Sequence, residues 1–129
     1  MESIFSKIIK REIPAYIIDE TDDFIAFLDV FPLAKGHVLV VPKKQVDYIF
    51  DLEPHLYNGL WAFANKIAHQ VEQAMPCKRI GIAVIGLEVP HAHVHLLPLQ
   101  TVEDINFTRP KLKLSNEEMK EIAAKIQSF

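Results

Sequence analysis

Three of the six histidines in this 129-residue sequence, His91, His93 and His95, fall within five residues and are separated by Ala92 and Val94. On an extended strand side chains alternate, so the three imidazoles share one face while Ala92, Val94 and Leu96 take the other. Same-face neighbours are spaced by roughly 6.6 Å along a strand, close enough that protonating one ring disfavours protonating the next. At least one ring should therefore stay neutral near pH 7. A neutral imidazole is a nucleophile or a proton acceptor, and a protonated neighbour is a donor to an anionic phosphate oxygen or a departing group. A lone strand histidine is usually a satisfied polar residue and nothing more. Three at strict alternation would commit a sheet face to polar rings that are costly to bury, which favours a functional reading. An H-x-H pair on a strand is also a common zinc-binding layout, although here no carboxylate or cysteine stands at a supporting short spacing.

The apolar pattern predicts the elements that position these rings. Ile4, Phe5, Ile8 and Ile9 recur at helical spacing, giving a short amphipathic helix over Ser3 to Glu12 that Pro14 stops. Tyr16 to Glu20 and Phe24 to Val30 read as an antiparallel pair joined by Thr21, Asp22 and Asp23. A period of two places Ile25, Phe27 and Asp29 on one face of the second strand, so Asp29 ends an apolar row. After the loop Pro32 to Gly36, His37 stands at the mouth of HVLVVP, a run apolar on both faces as in a central strand, closed by Pro42. Leu56, Leu60, Ala64, Ile67, Val71 and Met75 predict one long helix over Pro54 to Met75. Ile80 to Gly86 and Ala92 to Leu99 are the fourth and fifth strands, with GLEVP between them and Pro98 implying that the fifth ends at a sheet edge. Thr101 to Leu114 show no clear period and read as loop. Ser115 and Glu118 form a capping box for a final helix carrying Met119, Ile122, Ile126 and Phe129 on one face.

A length of 129 residues predicts one domain spanning 1–129. Hydrophobic residues make 50% and charged residues 24%, with only 4 Gly and 8 Pro, which excludes disordered, collagen-like and low-complexity chains. The longest strongly apolar stretch, Ile80 to Leu87, is far short of the roughly 20 residues that a spanning helix needs, so no membrane is expected. MESIFSKIIKRE lacks an apolar signal core with a cleavage site, and a cytoplasmic location is the expectation. Fourteen basic against seventeen acidic residues give a net charge of -3 with no basic block, a poor match to a nucleic-acid polymer. The lone Cys77 has no partner for a disulfide or a metal and reads as an inert thiol.

The segment PHAHVHLLP resembles the alternating signature of the histidine triad (HIT) family of nucleotide hydrolases and transferases. Upstream, IFSKIIKREIPAYIIDETDDFIAFLDVFPLAKGHVLVVPKK is similar to the amino-terminal half of that family's purine-nucleoside phosphoramidase branch, so the likeness runs over most of residues 4 to 98. The resemblance implies an α+β, HIT-like fold: a five-stranded antiparallel sheet with one long helix and short terminal helices, usually as a homodimer, with a purine nucleotide beside the triad and no cofactor. It implies that His93 attacks the α-phosphorus of a nucleoside 5'-phosphoramidate, forming a nucleotidyl-histidine that water hydrolyses. In that scheme His91 orients His93 through its main chain, His95 donates to a phosphate oxygen, and His37 is the fourth histidine of the site. Asp29 would accept hydrogen bonds from the ribose hydroxyls. Phe5, Ile8, Ile13, Phe27 and Leu39 would enclose the base and sugar, with Val30 at the border.

The sequence also departs from the family pattern. Where many bacterial relatives carry Cys-x-x-Cys as half of a structural zinc site, this chain has Ser3 and Ser6, so no metal is expected. Before the triad the branch has Asn-x-Gly followed by Gly-Gln-Ser or Gly-Gln-Thr, whereas this chain has VIGLEVP, which keeps only Gly86 and puts Leu87 and Glu88 at the phosphate-contacting positions. An outward turn carboxylate is the ordinary fate of Glu88. If it faces the phosphate instead, it would favour a cationic leaving group. Arg109, Lys111 and Lys113 in RPKLKL would align if extended, either as a solvated face or as a hold for the distal phosphates of a dinucleoside polyphosphate, a second substrate class. A purine-nucleotide-binding module with little catalysis is the remaining alternative.

Overall fold

A computed structural model describes all 129 residues. In chain order they form α1 (Ile4–Ile9), β1 (Ile17–Glu20), β2 (Phe24–Leu28), β3 (Val38–Pro42), a 3-10 turn (Ile49–Asp51), α2 (Pro54–Ala74), β4 (Arg79–Ala83), β5 (Val94–Leu99), a second 3-10 turn (Val102–Ile105) and α3 (Asn116–Gln127). The strands make one five-stranded antiparallel sheet in the order β1-β2-β3-β5-β4, the α+β architecture expected from the sequence. No helix is long and apolar enough to cross a membrane.

Every residue of β2 and β3 is buried, because both faces of the sheet are covered there. On one face Leu60, Ala64, Ile67 and Val71 of α2 and Ile122 and Ile126 of α3 pack on Ala26, Leu28, Val38, Val40, Val94 and Leu96. Pro54 opens α2 in its first turn, where its missing N–H costs nothing. On the other face Phe5 and Ile8 of α1 cover Ile25, Phe27, Leu39 and Val41. Ile67 is fully buried between α2 and the sheet. Replacing it with Ala should lower the unfolding free energy by about 2 to 5 kcal/mol, read as a drop in the urea midpoint at constant slope.

Several boundaries differ from the sequence expectation. β2 ends at Leu28, so Asp29 and Val30 lie in the following turn, although the Asp29 N–H still donates to the His37 carbonyl (2.9 Å). β3 begins at Val38 and β4 covers Arg79–Ala83, leaving His37 and Val84 to Gly86 outside the ladder. β5 begins only at Val94, where pairing with Val40 starts, so His91 and His93 are on the approach to the strand and not in it. Pro98 pairs with Ile80 of β4 but lies beyond the last partner on β3, and its missing donor therefore faces a free flank. The loop expectation for Thr101 to Leu114 misses a 3-10 turn, which a reciprocal Thr101–Asp104 capping box stabilises. Gly36 has φ +91, and a Cβ there would stand 2.6 Å from Met75 Cγ, so only glycine turns the chain tightly enough to deliver His37.

Candidate active site

The face segregation read from the alternation holds even where the strand itself has not begun. Ala92, Val94 and Leu96 are buried in the core under α2. The triad rings take the opposite face, with Leu39 and Ala83 directly beside His95 in the sheet register. Phe5 lies 5.8 Å from the His91 ring and 5.0 Å from the His93 ring, and His93 lies 4.9 Å from His95. His37 joins them from the mouth of β3, with 5.2 Å between its ring and that of His95. His91 and His37 are sealed, and His93 and His95 each expose 7%.

Hydrogen-bond partners fix where the protons sit. The Leu33 N–H donates to His37 Nδ1 (3.1 Å), so a neutral His37 carries its proton on Nε2 and donates it to His95 Nδ1 (2.9 Å). His95 then keeps its own proton on Nε2, free to donate outward. In the same way, the Pro42 carbonyl can only accept, so His91 Nε2–H donates to it (2.7 Å) and His91 Nδ1 accepts from the Ser3 hydroxyl (2.7 Å). The His91 carbonyl accepts from His93 Nδ1–H (2.8 Å), which leaves the His93 Nε2 lone pair uncommitted. The four rings thus divide into one whose Nε2 has no partner, one with an outward N–H and two that hold them.

Burial enforces the neutral state of His37, His91 and His95. It drives His37 down to about 3, helped by the neighbouring His95, and His95 down to about 4, with further repulsion from His93 and Lys111. Burial lowers His91 as well, against the pull of the Pro42 carbonyl. Asp29 moves the other way, since burial raises its carboxyl despite the Phe31 N–H donating to Oδ1 (2.8 Å). Asp29 Oδ2 lies 3.5 Å from His37 Nε2 and is the oxygen left for a ligand.

The residues expected to hold a nucleotide are only partly brought together. Phe5, Ile8, Phe27 and Leu39 form one apolar cluster with Ile13 packed at its edge. Val30 is exposed and lines a concavity with Pro14, Tyr16 and Lys120 instead of joining that cluster. Gly86 has φ +72 with open space at its missing Cβ, so its freedom serves the turn and not a close approach. Leu87 is 88% exposed, and Glu88 is exposed with no hydrogen bond or ion pair, the ordinary turn carboxylate. Arg109, Lys111 and Lys113 do not align, because Arg109 folds back on the Glu103 carbonyl (2.8 Å) while the Lys111 ammonium binds the Phe107 carbonyl (2.8 Å).

Sequence reading missed the residues that hold the rings. Ser3, which caps α1, also sets the tautomer of His91, and the Gln45 carboxamide oxygen ties Ser3 N–H (2.9 Å) and the Ser6 hydroxyl (2.7 Å) to the same corner. Phe107, from a segment without periodicity, lies edge-on to His95 at 4.7 Å. A serine just ahead of the apolar helical run is a signal that could have marked Ser3 as a cap, but no local pattern marks Gln45 or Phe107. Cys77 is half-buried, and burial raises its thiol, in keeping with an inert group.

Asp29, His37 and His95 each offer a ligand atom within 4.8 Å of the others, a spacing that a divalent cation can bridge. The protons argue against it. With Leu33 N–H on His37 Nδ1, a metal on Nε2 would require an imidazolate or the loss of that hydrogen bond.

Comparison with known proteins gives a consistent result. The HIT domain family model matches residues 10–102. The chain is 32% identical to a HIT-like protein of Borreliella burgdorferi over 97% of its own length and 96% of that protein. It is 30% identical to the adenosine 5'-monophosphoramidase of Schizosaccharomyces pombe, over 99% of this chain and 98% of that one. Among solved structures, a Hit-like protein from Bartonella henselae described as involved in cell-cycle regulation matches with a TM-score of 0.85 at 30% identity, covering 98% of this chain and 95% of that one.

Proposed function

The chain belongs to the HIT domain family, and from that premise we propose that it is a hydrolase of purine nucleoside 5'-phosphoramidates, or related nucleotidyl substrates, working through His93. The observation that carries this reading is the hydrogen bond from His93 Nδ1 to the His91 carbonyl, which aims an uncommitted Nε2 lone pair away from the backbone. Nε2 attacks the α-phosphorus and the P–N bond breaks, its electron pair leaving with a nitrogen that is protonated from water. A water molecule then attacks the phosphorus, restores the Nε2 lone pair and releases the nucleotide. His95 Nε2–H donates to a phosphate oxygen, held in that tautomer by His37, and the donor is preset before charge develops.

Asp29 Oδ2 is the acceptor for ribose hydroxyls, and Phe5, Ile8 and Ile13 supply apolar surface for a flat purine, with Phe27 and Leu39 beneath them. The border roles expected of Val30, Gly86 and Glu88 are not part of this scheme, since Val30 faces a separate concavity and Gly86 and Glu88 lie in the turn before the triad. A homodimer belongs to it as well: β4 is a sheet edge carrying exposed Ile82, and Val84 and Ile85 beyond it are exposed too, apolar surface of the kind that a second copy covers. No nucleic-acid polymer, membrane or cofactor enters the scheme, and a cytoplasmic location suits a nucleotide substrate.

Intact mass spectrometry after mixing the protein with an adenosine phosphoramidate tests the reaction. An adenylyl adduct that decays to AMP is expected, and turnover without any adduct on His93 would overturn the covalent route. The exposed, unbonded Leu87 and Glu88 favour one rival, a nucleotide-binding module. It predicts AMP binding with neither adduct nor turnover.

A further inference from the structure

A site built for phosphate needs positive charge, and the hydrogen bonds of His37, His91 and His95 hold those three rings neutral. The turn before the triad adds none either, since Val84, Leu87 and Glu88 occupy it. Nearby cations are engaged elsewhere: Arg11 and Lys43 by Glu20, Lys35 by Glu118, and Arg109 by Asp104 and the Glu103 carbonyl.

Lys111 is different. It makes no ion pair with a carboxylate, and its ammonium rests on the Phe107 carbonyl (2.8 Å), 5.5 Å from the centre of the Phe107 ring. That ring lies edge-on to both His95 (4.7 Å) and His37 (6.1 Å). The Leu112 N–H donates to the Pro32 carbonyl (2.8 Å), which pins the next residue to the loop joining Asp29 to His37. The ammonium is therefore held at the rim of the triad by a neutral acceptor that it can leave without separating an ion pair.

We propose that Lys111 is the phosphate-binding cation of this site, seated on Phe107 and transferred from the Phe107 carbonyl to the phosphate oxygens when a nucleotide enters. The inference deepens the nucleotidyl reading and rests on it. The lysine charge already reaches the site: it opposes the rise that burial imposes on Asp29 and adds to the lowering that burial imposes on His37 and His95. An ammonium meeting phosphate there is only partly screened by water, so the pairing should exceed an ordinary surface ion pair.

Calorimetry with AMP and adenosine on the full chain provides the test, using Lys111→Met, which keeps the aliphatic stem over Phe107, and Lys111→Arg, which keeps the charge. The parent should prefer AMP to adenosine. Lys111→Met should weaken AMP binding by about tenfold, or about 1.4 kcal/mol, while adenosine binding stays unchanged. Lys111→Arg should retain most of the AMP affinity. The proposal is overturned if the parent binds the two equally, if Lys111→Met leaves AMP affinity within a factor of about two, or if it weakens adenosine equally. Both ligands are unreactive, so this pattern seen in a protein that forms no adduct would keep Lys111 and discard the hydrolase reading.

Discussion

His93→Ala should abolish the adenylyl adduct and lower kcat/KM for an adenosine phosphoramidate by at least about a thousandfold, since it removes the atom that carries the nucleotide in the proposed scheme. AMP binding should survive, because Asp29, the apolar cluster around Phe27 and the His37–His95 pair do not depend on the His93 ring for their placement. This separation makes the result interpretable: chemistry lost with binding kept identifies a nucleophile, whereas both lost together would identify a packing residue. His95→Ala should slow the reaction less, because it removes one donor to the phosphate and leaves the covalent path open. Turnover by His93→Ala within about tenfold of the parent would contradict the mechanism.

Acid should destabilise the fold steeply, and the buried rings set the sign. His37 and His95 titrate at about 3 and about 4 in the folded chain, below the 6.5 of an unfolded histidine. Between these values the unfolded chain binds more protons, so stability is complete above about pH 6.5 and is lost progressively as the pH falls towards 4. At about 1.4 kcal/mol per pH unit for each ring, the pair removes on the order of 5 kcal/mol between pH 6.5 and 4.5, comparable with the whole stability of a small domain. Asp29, whose carboxyl is raised by burial, acts in the opposite sense but only in the carboxylate range. Urea midpoints at pH 7, 5.5 and 4.5 should fall in sequence. A flat series would mean that the pair is not held neutral. In the folded chain protonation of His95, near its value of about 4, would set a His95 Nδ1–H against the His37 Nε2–H, so the activity of molecules that stay folded should hold at pH 5.5 and fail only towards pH 4.

What the sequence made legible follows from which forces are local. The alternation of His91, His93 and His95 with Ala92, Val94 and Leu96 fixes the faces, because a period of two is a property of extended backbone whether or not a neighbour pairs with it. Where β5 starts is not local, since it depends on Val40 arriving opposite Val94. The α2 stripe was readable for the same reason as the triad, its Leu60, Ile67 and Val71 repeating with the helix turn. Lys111 stood out as one of three cations in RPKLKL, read either as a solvated face or as a hold for distal phosphates. Its position depends on a hydrogen bond to Pro32, about 80 residues earlier in the chain, which no window of sequence contains. The family likeness named the histidines and Asp29 and marked Ser3 only as a poor zinc ligand, not as the hydroxyl that His91 accepts from.

That hydroxyl has a practical consequence. Gln45 also binds the Met1 carbonyl (2.8 Å), so the first residues form a strap from the start of the chain to the ring whose carbonyl steadies His93. Exopeptidase trimming there would remove these contacts and loosen the His93 ring from far away in sequence, so an attachment is better placed elsewhere. Phe129 is exposed at the end of α3, on the opposite side of the sheet, and tolerates such an attachment.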